Sequence, residues 1–148
     1  MPVFVYMLAA VAVGAMVSAQ PAWNAIVARG IGSVFGAAAI NTFIGFAVCM
    51  VFVPVLGVGR MSVSTLTAVP WWAYLGGVVG ALFVTSGVFV APVTGALVFF
   101  VCVVTGQLVG SVIADHYGAF GLEVRPASFG RLAGVGLVVL GAFLVGRG

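Results

Sequence analysis

The sequence predicts an all-α integral membrane protein with five transmembrane helices, and three observations carry that expectation. Of 148 residues, 64% are hydrophobic and only 5% are charged, against about a quarter charged in an ordinary soluble domain. Mean hydropathy is +1.38. Apolar stretches run for about 20 residues, the length a helix needs to cross a hydrocarbon core about 30 Å thick. A water-soluble fold of this size would need far more polar side chains to cover its surface. The same numbers exclude a disordered chain and a disulfide scaffold. A nucleic-acid reader is excluded too, because the net charge of +3 comes from five scattered arginines (29, 60, 125, 131 and 147) with no lysine, and no basic face is built. Cys49 and Cys102 each lie inside an apolar run, where a thiol behaves as a small hydrophobe, and both are expected to be free.

Cutting the chain at charges and at Pro/Gly/Ser clusters gives five spans in a single transmembrane domain covering residues 1–148. The first runs over 3–28 and ends before Arg29-Gly30-Ile31-Gly32-Ser33. A cleaved signal peptide is the rival reading, since Val17-Ser18-Ala19 fits a small-x-small site, but no Lys or Arg precedes the apolar core and that core exceeds the usual length. The second span covers 34–56, followed by a polar stretch from Gly57 to Pro70. The third covers 71–90 and opens on Trp71, Trp72 and Tyr74, amphipathic rings suited to the lipid–water boundary. A break at Ala91-Pro92 separates it from the fourth, 93–114, as a tight helical hairpin. The fifth covers 128–145, with Ser128 placed to cap it and Arg131 able to snorkel outward.

Five spans put the termini on opposite sides. Arg60, Arg125 and Arg131 then face one side, and Arg29 and Arg147 the other. Three against two is almost no orientation bias. The expectation is dual topology, with two oppositely inserted copies pairing about an in-plane two-fold axis as an antiparallel homodimer. Small residues four apart let helix backbones approach in lipid. They occur at Gly76/Gly80 and Gly106/Gly110, and at Gly130/Gly134 with Gly136 and Gly141 nearby, and are expected to serve helix packing or the dimer interface.

Few polar side chains fall at membrane depth. Gln20 and Asn24 share one helical face, with Pro21 between them breaking the backbone ladder near position 17. Asn41 in the second span lies at a similar depth, about 16 Å from the intervening turn, and Gln107 is about 18 Å into the fourth. Two readings stand: interhelical packing glue, or a central binding site of convergent carboxamides at a helix break. Trp23 is either an aromatic wall of that site or lipid-facing bulk. No ionisable side chain occupies the centre of a span. Asp115 and Glu123 flank the fourth loop, with His116 and Arg125 as candidate partners, so Asp115 and His116 are loop anchors or else a gate or proton relay. There is no nucleophile–base pair, metal-ligand cluster or phosphate loop, so no catalytic residue, metal or cofactor is expected.

Together, Gln20-Pro21-Ala-Trp-Asn24-Ala, Asn41, Pro70-Trp71-Trp72-Ala-Tyr74-Leu-Gly76-Gly77, Gly106-Gln107 and Asp115-His116-Tyr-Gly118-Ala-Phe-Gly121 resemble the YdcZ-type family of the drug/metabolite transporter (DMT) superfamily over nearly the whole length. The resemblance implies a five-helix half-transporter in a bacterial-type inner membrane, similar to one repeat of ten-helix relatives, working as a homodimer or with a paralogue. More distantly the chain is similar to the four-helix small multidrug resistance proteins, whose first helix carries a glutamate. Here that helix has only amides and small residues, which argues against proton-coupled cation export. The function expected is therefore alternating-access transport of a small polar or amphipathic metabolite. The alternative is a non-transporting membrane protein that assembles with or stabilises a partner, its amides serving as glue.

Overall fold

The computed structural model describes residues 3–57, 59 and 61–147, and among them the structure is helical without strands. Arg60, used above in the orientation count, lies outside the described residues. Five helical stretches are long and apolar enough to cross a membrane: Val3–Ile31, Val34–Leu56, Trp71–Thr94, Ala96–Tyr117 and Phe129–Arg147. The chain forms two compact units, Met1–Val93 and Thr94–Gly148.

In the first unit, the opening span is two helices, α1 (Val3–Val17) and α2 (Gln20–Ile31). Pro21 sits in the first turn of α2, where its missing N–H costs that helix nothing but deprives the Val17 carbonyl of its i+4 donor. The intervening Ser18–Ala19 turn is tightened by Ala19 N–H donating to Met16 O at 3.3 Å. Ser18 Oγ donates to Ala15 O at 2.7 Å. Helix α2 closes at Gly32, which adopts φ 68°, a left-handed conformation costly for side chains with a Cβ. Ser33 then caps α3 (Val34–Leu56), its hydroxyl accepting from Gly36 N–H at 3.0 Å. This two-residue connection folds α3 back on α2 as a hairpin.

A short α4 (Val63–Ala68) follows, with a capping box between Ser62 and Thr65. The 3-10 turn Trp71–Tyr74 is tied to it, since Tyr74 Oη donates to Leu66 O at 2.7 Å. Helix α5 (Leu75–Thr94) brings Val88 against Ala28 of α2 and Ala37 of α3. Phe35 and Phe89 meet edge to face at 5.7 Å. The core of this unit is built of small side chains. Ala37 is 1% exposed, while Phe43, Phe46, Trp23 and Ile44 all point outward. The outward bulk is what a lipid solvent permits, because hydrocarbon is as good a partner for Phe or Ile as another helix is.

The sequence places the third break at Ala91-Pro92, whereas α5 continues through Pro92 to Thr94 and ends at Gly95, φ 81°. Proline removes one ladder bond, and in lipid opening the helix there would expose further backbone groups at several kcal/mol each. The chain therefore stays helical until Gly95, whose positive φ glycine adopts readily.

The second unit is a hairpin of α6 (Ala96–Tyr117) and α7 (Phe129–Arg147). Helix α6 closes at Gly118, φ 60°, where an added Cβ would lie 2.7 Å from Val124 Cγ2 and 3.1 Å from the Leu122 carbonyl oxygen. A 3-10 turn at Ala119–Gly121 follows, with Phe120 at φ 59°. Ser128 caps α7, accepting from Arg131 N–H at 3.3 Å.

Because Gly118 combines a left-handed φ with contact to backbone, Gly118→Ala is expected to cost at least about 1–2 kcal/mol. A lower thermal midpoint of the purified protein in detergent would register it, and an Ala variant as stable as its parent would contradict this account of the turn.

Candidate functional site

The helix break places Gln20 at the start of α2, with Asn24 one turn on, and the hairpin sets Asn41 of α3 opposite them. The three carboxamides form one hydrogen-bonded chain. Gln20 Nε2 donates to Asn41 Oδ1 at 3.0 Å, and Asn41 Nδ2 donates to Asn24 Oδ1 at 3.0 Å. Asn24 is 5% exposed, the one polar side chain counted among the buried described residues. From the α2–α3 turn, Asn24 and Asn41 are about 12 Å deep and Gln20 about 18 Å, which brackets the middle of a core about 30 Å thick. An amide offers one oxygen and one NH2 group. Asn41 uses both in this chain, leaving Gln20 Oε1 and Asn24 Nδ2 as its acceptor and donor ends.

Trp23, 62% exposed, points away from this cluster on the outer face of α2. Gln107 lies on α6 in the second unit, exposed and outside the three-amide chain. At Gly76, Gly80, Gly106, Gly110, Gly130, Gly134, Gly136 and Gly141 an added Cβ would meet nothing within 4 Å.

Two grooves border the first unit. One, of about 590 Å3, is lined by Phe35, Phe43 and Phe46 over a floor that includes Ala38 and Ala81. The hydroxyls of Thr42 and Thr85 in its lining return to the carbonyls of Ala38 and Ala81 at 2.9 and 2.8 Å, so its surface is apolar. The other, of about 430 Å3, lies beside the α2–α3 turn and has Arg29 in its lining. None of the three bonded amides lines either groove.

Both acidic side chains and the histidine lie on the α6–α7 loop or at the end of α6 that leads into it. Sequence reasoning named His116 and Arg125 as partners for the two acids, and Arg125 does pair with Glu123 at 2.8 Å. That hydrogen bond, and then the charge of Glu123, raise the guanidinium's pKa above its ordinary value. Asp115 instead pairs with Arg131 at the start of α7, which turns Arg131 from a snorkelling side chain into the clasp of the hairpin. Arg131 also donates to the Arg125 carbonyl at 2.9 Å, and Arg125 N–H donates to the Asp115 carbonyl at 2.8 Å. His116 Nδ1 accepts from Ala127 N–H at 3.1 Å, so in the neutral ring the proton sits on Nε2. The antiparallel return of α7 beside α6 was the available signal for the Asp115–Arg131 pair, since it brings the two facing helix ends together.

No group of three or more His, Cys, Asp or Glu that could hold a metal occurs among the described residues. Residues 5–144 match the family described as "Putative inner membrane exporter, YdcZ". Over 82 residues the chain is 33% identical to inner membrane protein YdcZ of Escherichia coli (strain K12), a stretch covering 55% of this chain and 54% of that one. The chain thus spans about half the length of this curated relative. No solved structure matches it. A family match across nearly the whole length, joined to five apolar helices, makes this chain a member of the YdcZ family of inner-membrane proteins.

Proposed function

We propose that the protein is a transporter subunit that moves a small neutral or zwitterionic polar solute by alternating access, two copies forming the working unit. The observation that carries this reading is the Gln20–Asn41–Asn24 amide chain at a helix break near mid-membrane. Discontinuous helices with convergent polar groups are how many secondary transporters build their sites. The exporter description of the family supports the same direction. Gln20, Asn24 and Asn41 supply the hydrogen bonds in this proposal. Any proton coupling would have to use Asp115 or His116 at the loop, because the described spans place no acid at their centre.

The packing reading also has a specific observation behind it, since the three amides bond to one another within one chain. The two readings separate on Asn41→Ala, which removes both bonds. Interhelical bonds in membranes average about 0.6 kcal/mol, so the fold should survive under either reading. The transporter reading expects stabilisation of the purified protein by at least one member of a panel of neutral and zwitterionic solutes, and its loss in Asn41→Ala. A ligand at 100 times its dissociation constant adds about 2.7 kcal/mol. If no solute stabilises the parent protein and transport into vesicles is absent, the amides are glue.

Pairing is supported by the glycine faces left open on α5, α6 and α7. Gly80→Leu and Gly110→Leu are expected to weaken self-association in detergent. If those glycines face lipid, both Leu variants should remain dimeric, and Gly→Ala should stabilise the helix by about 0.5–1 kcal/mol.

The near balance of arginines supports dual topology. A C-terminal reporter should then report both orientations, and adding one Arg to a loop on one side should make them uniform. Uniform orientation of the unaltered chain that such an addition does not change would exclude an antiparallel pair.

A further inference from the structure

We infer that the groove beside the α2–α3 turn is a binding site for an anionic phospholipid, with the phosphate held by Arg29 and an acyl chain lying along the apolar floor. The groove, of about 430 Å3, is lined by Ala25, Ala28, Val34, Val88 and Pro92, with Arg29 as its single cationic residue. Its place is the membrane boundary, because the spans Val3–Ile31 and Val34–Leu56 end and begin there. The charge is uncompensated. The chain has only two acidic side chains, and Asp115 is taken by Arg131 and Glu123 by Arg125. Among the described residues Arg29 makes no ion pair. An arginine bordering an apolar trough at headgroup depth is complementary to a phosphodiester with a hydrocarbon tail. Ser33, also in the lining, adds a second donor: its oxygen accepts from Gly36 N–H, and its own O–H stays free to turn toward a phosphate oxygen.

The site is independent of the amide chain and of the transport reading. Arg29 is exposed and makes no ion pair among the described residues, so its replacement leaves the helix hairpin intact. The test is retention of phosphatidylglycerol against phosphatidylcholine by the full chain, measured by native mass spectrometry of protein released from mixed nanodiscs. Arg29→Ala should weaken phosphatidylglycerol retention on the order of tenfold, as expected for a lost charge-assisted bond. Arg29→Lys, which keeps the charge and loses the fork, should fall between. Arg147→Ala should change nothing, because that guanidinium lies over the Phe143 ring at 4.1 Å and is not among the residues lining this groove. The proposal is overturned if Arg29→Ala retains phosphatidylglycerol like the parent, or if Arg147→Ala loses as much, which would mean diffuse attraction. It is also overturned if glycerol 3-phosphate or inorganic phosphate displaces the lipid or stabilises the protein equally well, since the groove would then hold a free anion.

Discussion

Within hydrocarbon no water is available to complete a hydrogen bond, so each polar group of this chain has to find its partner inside the chain or sit at the boundary. Helices meet that demand for the backbone, and the departures from helix occur where a local partner exists. At the break in the first span, the Ser18 hydroxyl returns to the Ala15 carbonyl and Ala19 N–H to Met16. Thr42, Thr85 and Thr105 each donate to the carbonyl four residues back. Among the described residues no buried side-chain nitrogen or oxygen lacks a hydrogen-bond partner. The ionic groups obey the same constraint from outside, since Asp115 at the end of α6, Glu123 and Arg125 on the loop, and Arg131 at the start of α7 gather at one end of this hairpin.

The packing follows from the same solvent. In water, a chain with this many Phe, Val and Leu side chains would bury the largest of them, whereas here no large side chain is fully buried among the described residues. Burying Phe43 or Leu82 against protein gains little over leaving it against lipid tails, so helix contact is decided by how closely backbones approach. Alanine wins those positions at 25, 28, 37 and 38. The glycines at 76, 80, 106 and 110 have the same property, and an added Cβ at each would meet nothing within 4 Å.

Much of this was legible in the sequence because lipid imposes so few rules. Length and hydropathy place five helices, and Gln20-Pro21 marks the break in the first. That Gln20, Asn24 and Asn41 all fall near mid-membrane follows from counting rises along two helices joined by a short turn. Helix ends were less legible. Pro92 reads as a terminator by soluble-protein rules, but lipid penalises open backbone more than a single lost bond, so Gly95 ends the helix instead. Partner choice was least legible. Asp115 has three cationic or ionisable neighbours in sequence, and only the antiparallel return of α7 selects Arg131. The mutual bonding of the amides likewise depends on rotation of α3 about its axis, which the depth count does not contain.

Self-bonding of the amides bears less against a binding role than it first suggests. A carboxamide left without a partner near mid-membrane costs about 1–3 kcal/mol, so an empty site built from amides has to close on itself. The chain observed here is directional, running from the Gln20 acceptor end to the Asn24 donor end through an Asn41 that both accepts and donates. A solute with one donor and one acceptor can insert between two such amides, replacing one bond by two of the same kind. The exchange is nearly neutral in hydrogen bonds, so affinity would come from the solute's shape and solvation, and release would stay easy. A carboxylate in the same position would bind cations more strongly and would need a counter-charge whenever empty. Amides avoid that requirement, which fits spans whose centres hold no ionic partner to supply one.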